Sequence, residues 1–271
     1  MIQINTKNIN NTLDESLAKL NQGSKTGTII YTAIFGDFDN LNEVKNPNPR
    51  MEYIFFTDRT DLTSKTWEII RCKDLNNDYR LFAKIFKIFP HKIFRNANQS
   101  LWIDGNYSIN KNHSQFFEKY NGIRHINFYR HSLRNCIYDE AKIIQRDKPE
   151  FDPLIITKQI NRYKNEQMPS NQGLINGAII LRNHESELLS KLMDDWWFEI
   201  YNYSIRDQIS FNYVNWKNGN FVKYFSEEIT NFLYFTYKPH LNSKNSGIFL
   251  EIKVFIKSSL GRVKSYVRNN R

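Results

Sequence analysis

The chain has 271 residues, 40% hydrophobic and 15% aromatic, enough for a sizeable core in one large domain or two small ones, which excludes global disorder. A net charge of +10 and an isoelectric point of about 9.4 point to an anionic partner: nucleotide, phosphate, membrane surface or nucleic acid. Cys72 and Cys136 are the only cysteines, which excludes a disulfide framework or a zinc-binding spacing and suits a reducing compartment.

Residues 1 to about 25 read as a polar lead with one short helix, Leu13 to Leu20, and lack the apolar core of a signal peptide. Nowhere does an apolar window approach the roughly 18 residues of a membrane span. Thr28 to Phe35 is an apolar, β-branched run, a buried strand that stops at the turn Gly36-Asp37-Phe38-Asp39. Pro47 and Pro49 make Asn46 to Arg50 a loop. Tyr53 to Phe56 is a second strand, ending in Thr57-Asp58, and Trp67 to Cys72 a third. Tyr79 to Phe89 reads as a helix whose Leu81, Phe82, Ile85, Ile88 and Phe89 form a core face. Arg80, Lys84, Lys87 and His91 fall on a second, cationic stripe. In isolation that stripe is a solvated face; beside the next strand, part of it can face a ligand.

That strand is Leu101-Trp102-Ile103, and it ends in Asp104-Gly105-Asn106. Gly105 lets the chain turn, leaving Asp104 at the carboxyl end of a strand, the edge where open α/β sheets bind ligands. Two oxygen-bearing side chains one residue apart, Asp104 and Asn106, can share a hard cation that holds a diphosphate. On the tripeptide alone an Asp-Gly turn with no further role is the commoner explanation, and the surrounding chain shifts the balance toward a ligand site.

Ile123 to Tyr129 reads as a strand, His131 to Asp147 and Asp152 to Tyr163 as helices, and Pro169 to Gly173 as a loop. Leu174 to Leu181 is an apolar strand interrupted by Asn176-Gly177, a sign of close approach by a ligand or another backbone. Asn183 caps a following helix with Glu185 and Glu187 in its first turn, and Trp196-Trp197 falls on that helix's core face. Arg206-Asp207-Gln208 opens the run Ile209 to Trp216, as a cap or a polar site. From Glu251 to Arg271, an apolar stripe flanked by basic residues matches a helix lying on an anionic membrane, or a docked terminal helix.

Seven stretches together resemble the family called domain of unknown function 616. They are Tyr31 to Asp39, Tyr53 to Asp58, Lys87 to Lys92, Trp102 to Asn106, His131 to Ala141, Gly173 to Arg182 and Arg206 to Phe211, in family order. The resemblance implies a glycosyltransferase of α/β class, a single GT-A-like domain with a mixed, mainly parallel sheet flanked by helices. The alternating strand and helix patterns give a domain over residues 26–240, after a polar lead and before a basic amphipathic tail over 241–271. The implied activity would be transfer from a nucleotide sugar to a glycan or lipid-linked acceptor, in capsule or other surface-polysaccharide synthesis. The setting would be cytoplasmic, with the tail on the inner face of the membrane. Where most enzymes of that fold carry Asp-x-Asp, this chain has Asp104-Gly105-Asn106, an amide being a weaker ligand than a carboxylate.

Such a transfer builds negative charge on the departing diphosphate, to be met by a cation (Mn2+ or Mg2+) or by Arg and Lys side chains. The residues expected there are Asp104, Asn106 and, as a third metal ligand, His240, with Arg80, Lys84 and Lys87. Ala33, Ile34, Phe35 and Gly36 would receive the base and ribose, with Thr57 and Asp58 nearby. Asn176, Gly177 and Gln208 would orient the donor, Asp207 would act on the reacting sugar, and His131, Arg134 and Glu140 would line the acceptor side. A nucleotide-sugar- or glycan-binding protein without turnover, and a hydrolase using Asp104 and Asp207 as a carboxylate pair, are the alternatives. Nucleic acid is not expected, because the aromatics sit in strand and helix patterns and no recognised binding motif occurs.

Overall fold

In the computed structural model, residues 26–72, 78–120 and 122–239 are described. The lead with its Leu13 to Leu20 helix, His240 and the basic tail lie outside them. The backbone forms β1 (Thr26–Ala33), β2 (Met51–Thr57), β3 (Glu68–Arg71), α1 (Tyr79–Ile88), α2 (Pro90–Ile93), β4 (Ala97–Ile103), β5 (Tyr107–Ile109) and α3 (His113–Lys119). It continues as β6 (Ile126–Arg130), α4 (Ile137–Asp147), α5 (Pro153–Asn165), β7 (Ile175–Asn183), α6 (Glu187–Asn202), α7 (Asp207–Lys217), β8 (Lys223–Tyr224) and β9 (Phe235–Tyr237).

Seven strands make one sheet in the order β3-β2-β1-β4-β7-β6-β8, and β5 pairs with β9 in a small second sheet. Strands β3, β2, β1 and β4 are mutually parallel, β7 runs antiparallel to β4 and β6, and β8 is parallel to β6. This is the mixed, mainly parallel α/β class that the resemblance implied.

Alternation along each strand divides the core in two. Ile29, Tyr31, Ile54, Phe56 and Trp102 face the layer that contains α1, α4, α5, α6 and α7. Ile30, Tyr53, Phe55, Leu101 and Ile103 face the other layer, with Phe116 of α3. Trp196 and Trp197 are core residues of the first layer, 0% and 7% exposed.

Local chemistry places α1. The Asp78 side chain accepts the Leu81 N–H at 3.0 Å and starts the helix. Pro90 disfavours helical backbone at Phe89, so α1 ends at Ile88 and α2 begins anew with proline at its first position. His91 therefore lies beyond the helix, off the cationic stripe.

Three other expectations change. Asn183 is the last residue of β7, with its Oδ1 taking the Glu185 N–H at 2.8 Å, and α6 starts later, at Glu187. The expected His131 to Asp147 helix begins only at Ile137, because the His131 imidazole accepts the N–H groups of Leu133 and Arg134 at 3.2 and 3.1 Å and holds a turn. The polar stretch after Asn106 contains β5 and α3, whose Phe116 is fully buried.

Candidate active site

Because β1, β2, β4 and β6 are parallel, Ala33 to Gly36, Thr57-Asp58, Asp104 and His131 all lie at one sheet edge. The antiparallel β7 begins there, bringing Asn176 and Gly177 alongside. Gly36 has a left-handed φ of 58° and donates its N–H to Asp58 Oδ1 at 2.8 Å, tying the ends of β1 and β2 together.

Asp104 follows Trp102 by two residues, so both point to the face that carries α1. Its backbone N–H reaches Ala178 O at 2.8 Å, within the bulge where β7 slips register against β6. Asn176 Oδ1 takes the Ala178 N–H at 3.0 Å and steadies that bulge. Gly105 is required for space, not for a special φ. A Cβ there would stand 2.6 Å from Ile34 Cγ1.

Four charged side chains close over this edge. Lys87 Nζ donates to Asp104 Oδ1 at 2.9 Å and to Asp207 Oδ2 at 2.7 Å; Lys84 Nζ contacts both Asp207 oxygens at 2.7 Å. Trp102 Nε1 adds a 2.6 Å hydrogen bond to Asp104 Oδ1. Lys87 and Asp207 are buried, while the Asp104 side chain is 35% exposed and takes the Lys87 and Trp102 bonds through Oδ1. Asp207 is the first residue of α7, and it can approach only because position 177 is glycine, where a Cβ would stand 3.1 Å from Asp207 Oδ2.

Burial opposes every charge here, and the partners decide the sign. Asp207 is pushed up by desolvation but held well below the carboxylate range by Lys84 and Lys87. Desolvation lowers the Lys84 ammonium to about 8 despite Asp207. Lys87, equally desolvated, is raised because Asp104 and Asp207 both hold it. Asp207 stays ionised through these lysines, not through its neighbour Arg206, whose guanidinium turns toward Glu140 at 3.5 Å.

Arg182 completes the centre from inside β7, a residue that reads from the sequence only as a strand end. It is fully buried and donates to Lys87 O at 2.6 Å and to the Tyr31 hydroxyl at 3.2 Å, fixing the last turn of α1. At the outer end of the stripe, Arg80 stacks on Phe38 and Phe151 at 5.9 and 5.6 Å.

His131, Arg134 and Glu140 do come together, but Arg134 pairs with a Glu140 carboxylate that is 2% exposed and His131 packs beside them at 3.8 Å. Gln208 sits half-buried beside Asp207. Lys238 donates its N–H to Asn106 O at 2.7 Å and its Nζ to Asn42 Oδ1 at 2.6 Å, bringing β9 against the Asp104–Asn106 loop. No sequence signal marks that contact.

Among the described residues no group of three His, Cys, Asp or Glu side chains converges on a metal position. Asp104 and Asn106, two oxygen-bearing side chains at this edge, would be the residues to hold a divalent cation, which would supply charge neutralisation at a bound phosphate.

A family model described as the TOD1/MUCI70 glycosyltransferase-like domain matches residues 5–237. The "Probable hexosyltransferase MUCI70" of Arabidopsis thaliana is 28% identical over 217 residues, 69% of this chain and 37% of that protein, so the chain spans little more than a third of that relative. Mouse xyloside xylosyltransferase 1, in its apo form, shares 11% identity at a TM-score of 0.41, over 74% of this chain and 85% of that one. The galactosyltransferase LgtC, solved with donor and acceptor sugar analogues, shares 10% at 0.40, over 73% of this chain and 72% of that one. Likenesses this slight transfer no residue from one chain to another. The matching model carries the TOD1/MUCI70 description and not that of domain of unknown function 616, so the resemblance read from the motifs stands at the level of a glycosyltransferase-like family. The match spans most of the sequence, and the chain belongs to the TOD1/MUCI70 glycosyltransferase-like family.

Proposed function

We propose that this chain is a nucleotide-sugar-dependent glycosyltransferase of hexosyltransferase type. It moves a sugar from a nucleotide-diphosphate donor to a glycan or lipid-linked acceptor, in capsule or other surface-polysaccharide synthesis. The observation that carries this reading is the Lys84–Asp207–Lys87–Asp104 network at the carboxyl end of β4, in a chain of glycosyltransferase-like family.

The donor's base and ribose lie against Ala33 to Gly36 and Asp58. Its diphosphate meets Arg80, Lys84 and Lys87, which take up the charge released when the bond from sugar to phosphate breaks. Asp207 lies within reach of the donor sugar and keeps both ammonium groups aimed at the phosphates, while Gln208, Asn176 and Gly177 shape the sugar's seat. Asp104, Asn106 and His240 would hold Mn2+ or Mg2+, which supplies further charge neutralisation at the diphosphate. His131, Arg134 and Glu140 stand toward the acceptor, and the tail beyond residue 240 attaches the protein to an anionic membrane surface. Among the described residues no helix is long and apolar enough to cross a membrane.

A thermal-shift screen of nucleotide sugars, with and without Mn2+, tests this. A ligand at a hundredfold excess over its Kd stabilises by about 2.7 kcal/mol, or several degrees for a domain of this size. The expected result is a metal-enhanced shift for one donor class, lost in Asp104→Ala. A chain that no nucleotide sugar stabilises under either condition is not a transferase of this kind.

A further inference from the structure

The first turn of α1, the Glu150 to Asp152 loop and the connection from α6 to α7 border an open cavity of about 290 Å3. Phe151 forms one wall, with its half-buried ring pinned between Arg80 at 5.6 Å and Arg206 at 5.2 Å. Tyr203 lines the opposite side, and Tyr201, 58% exposed, stands at the mouth. Asp78 and Asp152 also border the space, each accepting a backbone N–H at the start of its helix. Glu150 is exposed and engages no other side chain among the described residues.

The cavity adjoins the candidate active site. Arg80 lines it, and Lys84 is one helical turn further along α1. Ile205 lines it, and Asp207 follows two residues later. A group bound here would lie one helical turn from Lys84 and two residues from Asp207 along the lining elements.

We infer that this cavity is an acceptor subsite for one neutral sugar ring of a glycan, an inference that rests on the transferase reading above. Its volume of about 290 Å3 is at the small end of ligand pockets, room for a single ring. Asp78, Glu150 and Asp152 line the cavity, and with Arg80 given over to the donor diphosphate these three carboxylates disfavour a phosphate inside it. Sugar rings combine a C–H face, which packs on aromatic rings such as Phe151 and Tyr201, with hydroxyls that donate to carboxylates such as Glu150. Bound there, a glycan would present its next hydroxyl to the edge where the donor sits.

Saturation-transfer NMR with a panel of methyl hexosides and common disaccharides, run without nucleotide, tests the pocket directly. The wild-type chain is expected to transfer saturation to the ring protons of at least one sugar, and Tyr201→Ala and Glu150→Ala to weaken that binding tenfold or more. Both residues are exposed, so the variants should keep the parent's circular dichroism and its nucleotide-sugar thermal shift. Absence of sugar binding in the parent, or unchanged binding in both variants, overturns the subsite. The nucleotide-sugar shift reports on the transferase reading separately.

Discussion

Lys87 is held between two carboxylates in a buried setting, and most of the site's electrostatics depends on it. Replacing one member of such a network strands the others, typically at about 3–5 kcal/mol. Lys87→Met is expected to lower unfolding free energy by about that amount, and adding Asp207→Asn to recover part of it in denaturant titrations. For the same reason Asp207→Asn does not isolate a chemical role, because asparagine leaves two ammonium groups with less opposing charge. Turnover must be read beside stability in that variant: a fall of about a hundredfold or more with folded protein retained supports a role at the reacting sugar. Lys84, lowered to about 8, gives a pH signature. If its ammonium meets the diphosphate, kcat/KM should decline above about pH 8 as that proton leaves, and Lys84→Arg should move the decline to higher pH.

At the scale of elements, α1 carries two of the four charged side chains of the network, Lys84 and Lys87, and its ends are set by local rules. Asp78→Ala should cost about 0.5–2 kcal/mol, and Asp78→Asn much less, because asparagine caps nearly as well. Gly177→Ala tests the fit between β7 and α7. Its methyl would stand 3.1 Å from Asp207 Oδ2 and 3.3 Å from Asp207 Cβ, so one element must shift, at about 1–3 kcal/mol for overpacking. Donor affinity should fall with it, and unchanged donor affinity in a folded Gly177→Ala protein would show that Asp207's position is immaterial to binding.

Across the whole molecule, two histidines behind the site make stability pH-dependent. Burial lowers His91 to about 3 and His184 to about 4; the rings are 6.5 Å apart, and His184 bonds to Ser100 Oγ at 2.7 Å. Both are neutral when folded but take up protons near pH 6.5 when unfolded. The unfolded chain therefore binds more protons below about pH 6.5, and stability falls as pH drops toward 4, by up to about 1.4 kcal/mol per pH unit for each histidine. Guanidinium titrations at pH 7, 5.5 and 4.5 should show this, and His91→Phe should flatten the slope. An equal slope in that variant would place the proton uptake elsewhere. The basic tail is tested at the same scale by liposome co-sedimentation of full-length and tail-deleted protein, with the full-length chain expected to pellet more with anionic vesicles.

The elements legible in the sequence were those whose signals are local. Apolar β-branched runs announced β1, β2, β4 and β7, because a strand buried on both faces has no alternative use for such residues. The spacing of Arg80, Lys84 and Lys87 followed from helical periodicity, and Asp104 at a strand end from the turn residues beside it. What the tertiary structure alone decided was the partner of each charge. The motifs placed Asp207 near a donor, but chain order cannot show Lys84 and Lys87 closing on it across more than a hundred residues, nor Arg182 reaching the carbonyl of Lys87. Gly105 does sit in the turn closed by Tyr107 N–H to Asp104 O, but what demands a glycine there is Ile34, which presses on it from just past the end of β1. His91 fitted the cationic stripe by spacing and left it because Pro90 ended the helix. Propensity, periodicity and capping act between near neighbours in the chain and can be read there, whereas burial and ion pairing depend on which distant segments the sheet order brings together.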